Sequence, residues 1–428
     1  MLTRIQAALQ QEKITVYRVV ETAEETAELF FVRRALDQRR ITDVTEYEVT
    51  VFRDGVTDQG EPTRGFTSVT LDTSMSDEQL AEALRGAYFA AKFAANPYYD
   101  LPDPVTAPPV EKTGPLAEKP LAESAGVMAE ALFAADVRED VFLNSAELFV
   151  SRLKRRILSS EGTDVSYTDA SVKGEFVVQC PFPEDVEMHV NFAYSELEPA
   201  ALRAKVAEAL TFVADRARAS RTLKSGAYDL VFSGNALRTL LSYYAERSSA
   251  SMLYAKYSGW NCGDSVQGED VTGEALDLTL CATVPYDGEG IPMADLPLVK
   301  EGKLLAVHGG NRFCRYLGVK PTGNFSKLCC GNGSVPFEAL KKAPCLWAVT
   351  FSDFQMDSFS GHFGGEIRLA YLIGEDGSVT PVTGGSVNGS LFEAQKHLQF
   401  SSERYETATY EGPYAVRMSG VSVSGSES

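Results

Sequence analysis

Histidine is scarce in this sequence, and no two histidines lie close together. The chain has 428 residues and only four His, namely His189, His308, His362 and His397. Two His one helical turn apart, as in a His-Glu-x-x-His motif, can bind the same metal ion. No such pair occurs, so the sequence excludes a zinc site built on a His pair of one helix.

Cysteine and long apolar runs are also in short supply. The number of Cys is seven and therefore odd, no Cys-x-x-Cys pair is present, and all but Cys180 lie from Cys262 onward. This distribution argues against a disulfide framework and favours a reducing cytoplasm. No segment approaches the roughly 20 apolar residues that cross a bilayer, and the first residues have no apolar core of the signal-peptide type. We therefore predict a cytoplasmic protein.

Positive charge is low relative to negative charge. Lys and Arg number 40, Asp and Glu number 59, and the formal net charge is -19. Such a surface repels phosphate backbones and anionic lipids, so we expect no direct binding to nucleic acid or to a membrane. A P-loop, a G-x-G-x-x-G after a strand and a G-x-S-x-G elbow are all missing from the sequence. Nucleotide binding and a hydrolase-type Ser nucleophile therefore lack support.

What the sequence does contain is a weak internal repeat in its N-terminal half. The segments that begin at Glu28 and Glu147 both open with alternating apolar residues, which are typical of half-buried strands. Each leads to a helical pattern, preceded by a capping signal at Ser76 or Ser195. The helical patterns carry apolar stripes: Leu80, Leu84, Ala87 and Ala91 in the first, and Leu202, Val206, Leu210 and Val213 in the second. We interpret each copy as strands covered by a long helix; a chance likeness is the alternative.

These patterns predict an α+β fold in five parts. They are an N-terminal α+β domain (residues 1–100), a Pro-rich linker (101–123), a central α+β domain that repeats the first (124–221), a β-rich C-terminal domain (222–420) and a tail (421–428). We expect disorder in the tail from Ser422. In the C-terminal domain, residues 236–255 predict one long helix, residues 337–342 and 391–398 predict short helices, and residues 303–310 are among the predicted strands.

Three loops of the C-terminal domain carry polar residues suited to binding. One contains Asp287 and Glu289, a second contains Thr322 and Asn324, and a third begins at Asp357. Carboxylates between Gly and Pro can bind a cation or a peptide amine, and Gly lets a backbone approach a ligand closely. A solvated connecting loop is the alternative interpretation in each case.

Several short motifs of the C-terminal half occur in a specific order and spacing. They are "PYDGEGIP" followed by "LVKEGKL", then "PTGN", "DSFSGHFGGEIRLAYLI", "GGSVNGSLFE" and "GPYAVRMSGVSVSGS". In these motifs the chain resembles the TldD/PmbA family, whose members are described as subunits of a metalloprotease and as modulators of DNA gyrase. Two departures from the family pattern occur: Tyr286 stands in place of Phe, and Ser358 separates Asp357 from Phe359.

The resemblance implies a role through one helix. TldD-type subunits of the family carry His-Glu-x-x-x-His on the helix that follows the segment that here reads "GAYDLVFSGNA", and that helix binds zinc. PmbA-type subunits, also called TldE, lack the motif and pair with a TldD-type subunit. The helix here has no His and no Cys, so the resemblance implies a TldE-like chain with no catalytic residue, no metal ligand and no cofactor of its own. Tyr243, Tyr244 and Glu246 would mark the vestigial site.

The resemblance also implies where substrate and partner bind. Asp287, Glu289, Thr322, Asn324 and Asp357 are the candidates for a groove that holds an extended peptide. The implied partner is a TldD-like subunit that carries the zinc, or a second copy of this chain. The implied fold, an α+β N-terminal part followed by a β-rich C-terminal domain, agrees with the fold predicted from the patterns.

Two other functions stay open from the sequence. The first is a self-sufficient metallopeptidase with unfamiliar ligands drawn from His308, His362, Cys314, Cys329 and Cys330. Because free Cys is among the most buried residue types, we favour a core role for these thiols. The second is a non-enzymatic interaction protein that acts on gyrase or on a toxin–antitoxin system.

Overall fold

The computed structural model describes residues 1–221 and 223–425. Its N-terminal part contains a seven-stranded antiparallel sheet in the order β4-β3-β2-β1-β5-β6-β7. The strands are β1 (Tyr17–Val32), β2 (Ala35–Val56), β3 (Pro62–Asp72), β4 (Ala95–Pro97), β5 (Phe142–Ser159), β6 (Asp164–Cys180) and β7 (Val186–Tyr194). The helices are α1 (Leu2–Gln11), α2 (Asp77–Ala91), α3 (Pro115–Glu118), α4 (Leu121–Ala134) and α5 (Pro199–Ala217).

A succession of one helix, three strands and a second helix occurs twice in this part. The first copy is α1, β1 to β3 and α2, and the second is α4, β5 to β7 and α5. The copies meet where β1 pairs with β5, from Arg18 opposite Ser159 to Val32 opposite Ser145. Both predicted α+β domains therefore contribute to one sheet, and α4 begins inside the segment predicted as a linker. The predicted fold class, strands with covering helices, is confirmed.

The two long covering helices bury the faces that the sequence predicts. Every residue of both apolar stripes is buried. In the first copy, Leu80, Leu84 and Ala87 share a core with Val49 and Val51. In the second copy, the whole stripe shares a core with Leu148 and Val150. Ser76 caps α2 as predicted, in a reciprocal capping box with Gln79. The predicted cap at Ser195 is wrong. Helix α5 begins at Pro199, because Pro has a suitable φ and needs no partner for a missing N–H at the first helical position.

The capping box gives a first prediction. The Gln79 N–H donates to Ser76 Oγ at 3.2 Å, and the Ser76 N–H donates to Gln79 Oε1 at 2.8 Å. We expect Ser76→Ala to lower the free energy of unfolding by about 1 kcal/mol, because one N–H of the first turn loses its acceptor. Urea denaturation followed by circular dichroism measures this. The nearby exposed Thr73→Ala should change stability by less than about 0.5 kcal/mol, and an equal loss in both variants would contradict the capping role.

The C-terminal part contains two sheets. One closes on itself in the order β13-β8-β20-β16-β14, with β14 also paired to β13, and β15 and β17 are attached to it. Its strands are β8 (Gly226–Ser233), β13 (Cys345–Met356), β14 (His362–Ile373), β15 (Val379–Val382), β16 (Ser386–Ser390), β17 (Gln399–Phe400) and β20 (Ala415–Ser424). The other sheet, in the order β11-β10-β9-β12-β19-β18, comprises β9 (Leu278–Cys281), β10 (Leu296–Lys300), β11 (Lys303–Leu304), β12 (Lys327–Cys330), β18 (Arg404–Thr407) and β19 (Tyr410–Pro413).

The helices of this part are mostly short. They are α6 (Asn235–Arg247), α7 (Ala250–Tyr254), α8 (Asn311–Leu317), α9 (Phe337–Leu340), α10 (Leu391–Ala394) and a 3-10 turn at Gln395–His397. Helix α6 shares one core with Phe232 and Phe363 of the closed sheet and with Leu278 and Leu280 of the open sheet. The single helix predicted over residues 236–255 is two helices, because Ser249 is extended and caps α7.

Three further expectations need correction. Only Lys303–Leu304 of the predicted strand 303–310 is a strand, and α8, which follows this segment, was not predicted. Strand β20 continues to Ser424, so expected disorder in the tail is wrong for residues 422–424; residues 426–428 lie outside the described part. One disulfide joins Cys281 of β9 to Cys329 of β12, although the sequence argued against a disulfide framework.

The helices bear on the predicted location in one respect. None of those in residues 1–221 and 223–425 has both the length and the apolar composition needed to cross a membrane. The cytoplasmic location stays a prediction.

Candidate functional site

The loop that contains Asp287 folds around its own carboxylate. Asp287 Oδ1 accepts the N–H groups of Glu289 at 2.8 Å and Ile291 at 3.0 Å. The side chain is buried, and Oδ2 has no hydrogen-bond partner among the described residues. Burial raises the pKa of this carboxyl, and the two N–H groups oppose the increase. Asp287 thus shapes the loop from within and does not face an open groove.

The Thr322–Gly323 turn is tied to the loop before α8. Thr322 Oγ1 accepts the Gly309 N–H at 3.0 Å, and the N–H groups of Thr322 and Gly323 donate to the Gly309 carbonyl at 3.1 and 3.2 Å. Gly323 has φ of 82°, and a Cβ at this position would lie 2.1 Å from Met293 Sδ. Only Gly fits both conditions. The turn therefore places Asn324, which follows it, beside Gly310.

A slot of about 400 Å³ opens between the N-terminal sheet and the C-terminal domain. Strands β1 to β3 supply Arg18, Thr50, Phe52 and Phe66 to its walls, and Tyr99 comes from the chain after β4. The C-terminal domain supplies residues of four segments: Ser249 to Ser251, Glu289, His308 to Phe313, and Asn324 with Phe325. We call this cavity the interdomain slot. It brings together two of the predicted groove residues, Glu289 and Asn324.

One ion pair spans the slot. Arg18 Nη1 donates to Glu289 Oε1 at 3.2 Å, and Glu289 Oε2 accepts the N–H of Asn311 at 2.8 Å. Glu289 therefore joins strand β1 to helix α8 and has both of its oxygens engaged. A second guanidinium, that of Arg312, donates to Asn96 Oδ1 at 2.7 Å. Its central carbon lies 5.6 Å from the ring centre of Phe66 and 4.5 Å from that of Phe313.

Tyr243 and Tyr244 of α6 belong to the core. Both are fully buried, and Tyr244 stacks on Trp260 with ring centres 6.3 Å apart. The Tyr244 hydroxyl donates to Gln395 Oε1 at 2.7 Å, whereas the Tyr243 hydroxyl has no partner within the described residues. Burial raises the pKa of both phenols. These side chains occupy α6, the helix on which the resemblance places the metal ligands of a TldD-type subunit.

The loop 357–361, which begins at Asp357, contacts the carboxyl end of α6 at Glu246 and Arg247. The buried Ser358 hydroxyl donates to the exposed carboxylate of Glu246. Arg247 Nη1 donates to the carbonyls of Ser358 at 3.4 Å and Phe359 at 3.3 Å. Asp357 Oδ1 accepts the Phe359 N–H at 2.9 Å, and the Ser360 hydroxyl lowers the pKa of Asp357. The inserted Ser358 thus anchors the loop to the helix.

The donors near α6 do not fit a zinc ion. In the described part of the chain, no three His, Cys, Asp or Glu side chains lie close enough to hold a metal. His308 Nε2 donates to the Ala245 carbonyl at 2.7 Å, and burial lowers the pKa of this ring. Cys314 Sγ donates to the Gly309 carbonyl at 3.4 Å, and Cys329 is paired with Cys281. His308, Cys314 and Cys329 therefore each have a separate partner, and Cys330 is a buried free thiol.

The predicted site residues form two groups in the structure. Glu289 and Asn324 line the slot, and Thr322 and Asp287 hold the loops beside it; Tyr243, Tyr244, Glu246 and Asp357 lie around α6. Sequence reasoning missed Arg18 and Arg312. Arg18 is far from Glu289 along the chain and had no local signal. The helix that carries Arg312 did have one, since Gly318 ends α8 with φ of 68°.

A larger cavity lies elsewhere and contains none of these residues. It measures about 620 Å³ and is bordered by β7, α5, β13 and the amino end of α6. Its walls mix basic side chains such as Lys205 and Arg368 with acidic ones such as Glu208 and Asp353. The larger cavity therefore does not coincide with the candidate site.

The buried carboxyl of Asp287 gives a second prediction, on pH. Its folded-state pKa is raised above the ordinary 3.8, so its contribution to stability is present below that value and is lost as pH rises through the raised pKa. We expect Asp287→Asn to gain stability relative to the wild type over that window, by about 1.4 kcal/mol for each unit of pKa elevation. Urea denaturation at a series of pH values measures the difference.

A second carboxyl provides the control for this pH effect. The pKa of Asp376 is lowered by the Ser378 hydroxyl, so Asp376→Asn should lose stability relative to the wild type as pH rises. The same slope in both variants would contradict the assignment of the Asp287 effect to burial.

Comparison with known proteins is consistent with this geometry. Residues 225–425 match the sequence model of the PmbA/TldA metallopeptidase C-terminal domain. No curated protein sequence is a significant match. Among solved structures, TldE from Thermococcus kodakarensis is similar over 99% of this chain and 100% of that chain, with a TM-score of 0.76 and 16% identity.

Two bacterial structures are similar to the same extent. A proposed DNA gyrase modulator from Thermotoga maritima has a TM-score of 0.75 and 16% identity, over 99% of both chains. Another from Bacteroides thetaiotaomicron has a TM-score of 0.76 and 16% identity, over 99% of this chain and 98% of that chain. At this identity the structures establish a common fold. The resemblance found in the sequence is thus confirmed, and the C-terminal domain of this chain, residues 225–425, belongs to the PmbA/TldD family.

Proposed function

We propose that this chain is a TldE-type subunit, without a metal site of its own, of a TldD-type zinc metallopeptidase that acts on unfolded or precursor peptides. The observation that carries the proposal is the packing of α6. Where a TldD-type helix would present His ligands, this helix presents Tyr243 and Tyr244 to the core. Zinc in proteins needs three or four N, S or O ligands, and Glu246 alone cannot supply them.

The interdomain slot supports a role in holding the peptide. Extended chains bind where side-chain pockets and backbone partners lie together, and the slot combines aromatic walls with the polar Ser249, Ser251 and Asn324. In this proposal the TldD-like subunit supplies zinc and performs the hydrolysis. This chain completes the substrate chamber and orients the peptide. A homodimer is the arrangement expected if no TldD-like chain is available.

The test compares this chain, a TldD-like chain from the same cell, and the co-expressed pair. We expect the purified chain to retain far less than about one zinc ion per chain and to leave peptides intact. The co-expressed pair should hydrolyse an unfolded peptide and lose this activity with a chelator. Metal analysis and chromatography of the cleaved peptide provide the measurements.

The same samples separate the competing functions. Tightly held stoichiometric zinc in the isolated chain, with hydrolysis abolished by His308→Ala, would establish a self-sufficient peptidase instead. Recovery of the chain from its native cell with gyrase or toxin–antitoxin components, and with no TldD-like subunit, would establish the non-enzymatic alternative.

A further inference from the structure

The interdomain slot has an excess of positive charge in a strongly acidic chain. Its charged lining groups are the guanidinium groups of Arg18 and Arg312 and the carboxylate of Glu289, whereas the whole chain has a net charge of -19. Burial lowers the pKa of the His308 ring, which disfavours a positive charge there. A cavity lined by one excess charge favours a ligand of the opposite sign. The slot is therefore suited to an anionic group.

Arg312 is the group available to that anion. Arg18 is already engaged, because its Nη1 donates to Glu289 and its Nη2 to Thr50 Oγ1 at 3.4 Å. Arg312 donates only to the neutral Asn96 amide, and no carboxylate in the described residues lies within ion-pair distance of it. The rings of Phe66 and Phe313 hold its planar group in place. A guanidinium fixed in this way can bind a carboxylate through two parallel hydrogen bonds.

The other side chains of the slot indicate which chemical groups of the ligand lie next to its anionic group. Phe52 and Tyr99 are buried in the wall near Phe66, and Phe325 borders the opposite side. At the rim, Asn324 is exposed and can both donate to and accept from a peptide backbone. The volume of about 400 Å³ is at the lower end of the range for ligand pockets, so the slot suits the end of a peptide rather than a long segment.

We propose that the slot binds the C-terminal carboxylate of a peptide whose last side chain is apolar or aromatic. Arg312 receives the carboxylate, the aromatic wall receives the last side chain, and Asn324 contacts the backbone before it. The proposal rests on the proposed function only in taking a peptide as the ligand. It makes this subunit the part that holds the end of the substrate.

The test uses the purified full-length chain without metal or partner, so its outcome is independent of any peptidase activity. A fluorescent pentapeptide that ends in Phe is titrated as the free acid and as the C-terminal amide, with anisotropy as the readout. We expect the acid to bind about tenfold more tightly or better, since a charge-assisted bidentate pair is lost in the amide. This comparison requires no variant and so cannot fail through misfolding. Equal affinities would overturn the proposal.

Arg312→Gln and Lys320→Gln each remove one positive charge, and together they test the assignment to Arg312. Arg312→Gln should reduce the affinity for the acid to that for the amide. Arg312→Lys, which keeps the charge, should have an affinity between those of Arg312→Gln and the wild type. Lys320→Gln, at an exposed position beyond α8 and outside the slot, should leave both affinities unchanged. An equal effect of Arg312→Gln and Lys320→Gln would show a nonspecific charge effect and contradict the proposal. Inorganic phosphate or a nucleoside monophosphate that displaces the acid at equal concentration would overturn the choice of a peptide.

Discussion

Replacing Tyr244 with Ala is expected to lower the free energy of unfolding by about 3–5 kcal/mol, the range for deleting a buried aromatic ring. Tyr244 is fully buried, stacks on Trp260 and meets the edge of Tyr243 with ring centres 5.3 Å apart. The variant leaves a cavity in the core that joins the two sheets of the C-terminal domain, and it removes the hydrogen-bond donor to Gln395 Oε1. Chemical denaturation followed by tryptophan fluorescence measures the loss.

Tyr244→Phe separates packing from the hydrogen bond. It keeps the ring and leaves the Gln395 oxygen without its donor, so we expect a loss of about 1–3 kcal/mol. A Tyr244→Ala protein with nearly normal stability would contradict the view that this helix position has become part of the core. The same result would reopen the possibility of a ligand site there.

Gly65→Ala is expected to lower the free energy of unfolding by about 1–3 kcal/mol or more, because it overpacks a contact between β3 and the end of α2. A Cβ at Gly65 would lie 1.9 Å from the carbonyl oxygen of Ala91, which is backbone and cannot move aside cheaply. The next residue in the strand is Phe66, a wall of the interdomain slot. We therefore also expect weaker peptide binding in the slot, measurable by the same anisotropy titration.

Gly86→Ala is the matched control for this change. Gly86 lies in α2, and a Cβ there would have no atom within 4 Å. Ala is a better helix former than Gly, so the control should gain about 0.5–1 kcal/mol. A loss of stability in both variants would indicate that any added methyl group near α2 is destabilising. No loss of stability in Gly65→Ala would show that β3 and α2 can move apart at little cost and would contradict the prediction.

Local signals predicted much of the fold. The apolar stripes of α2 and α5 and the capping residue Ser76 depend on neighbours within a few turns, so their periodicity was sufficient. The start of α5 and the break after α6 were not predicted, because several Ser and Pro compete locally as caps and the packed core decides among them. Helix α8 has only seven residues, too few for a clear period.

The site was predicted only in its loops. Glu289 and Asn324 were found because Gly and Pro mark their turns. Their opposite wall, with Arg18 and Phe66, comes from strands whose place beside these loops depends on contacts between distant parts of the chain. Asp287 was predicted to line a peptide groove, and the residues around it gave no sign that its side chain is buried. In the structure its carboxylate accepts N–H groups of its own loop.

The pairing of β1 with β5 has a consequence for how the chain acquires its fold during synthesis. When the first copy leaves the ribosome, the edge of β1 that will receive β5 has no partner until residues 142–159 have been made. Contacts of such large sequence separation form slowly, and an unpaired strand edge can capture another chain in the meantime. Nascent chains stalled before β5 should therefore aggregate or recruit a chaperone, whereas chains that include the second copy should not.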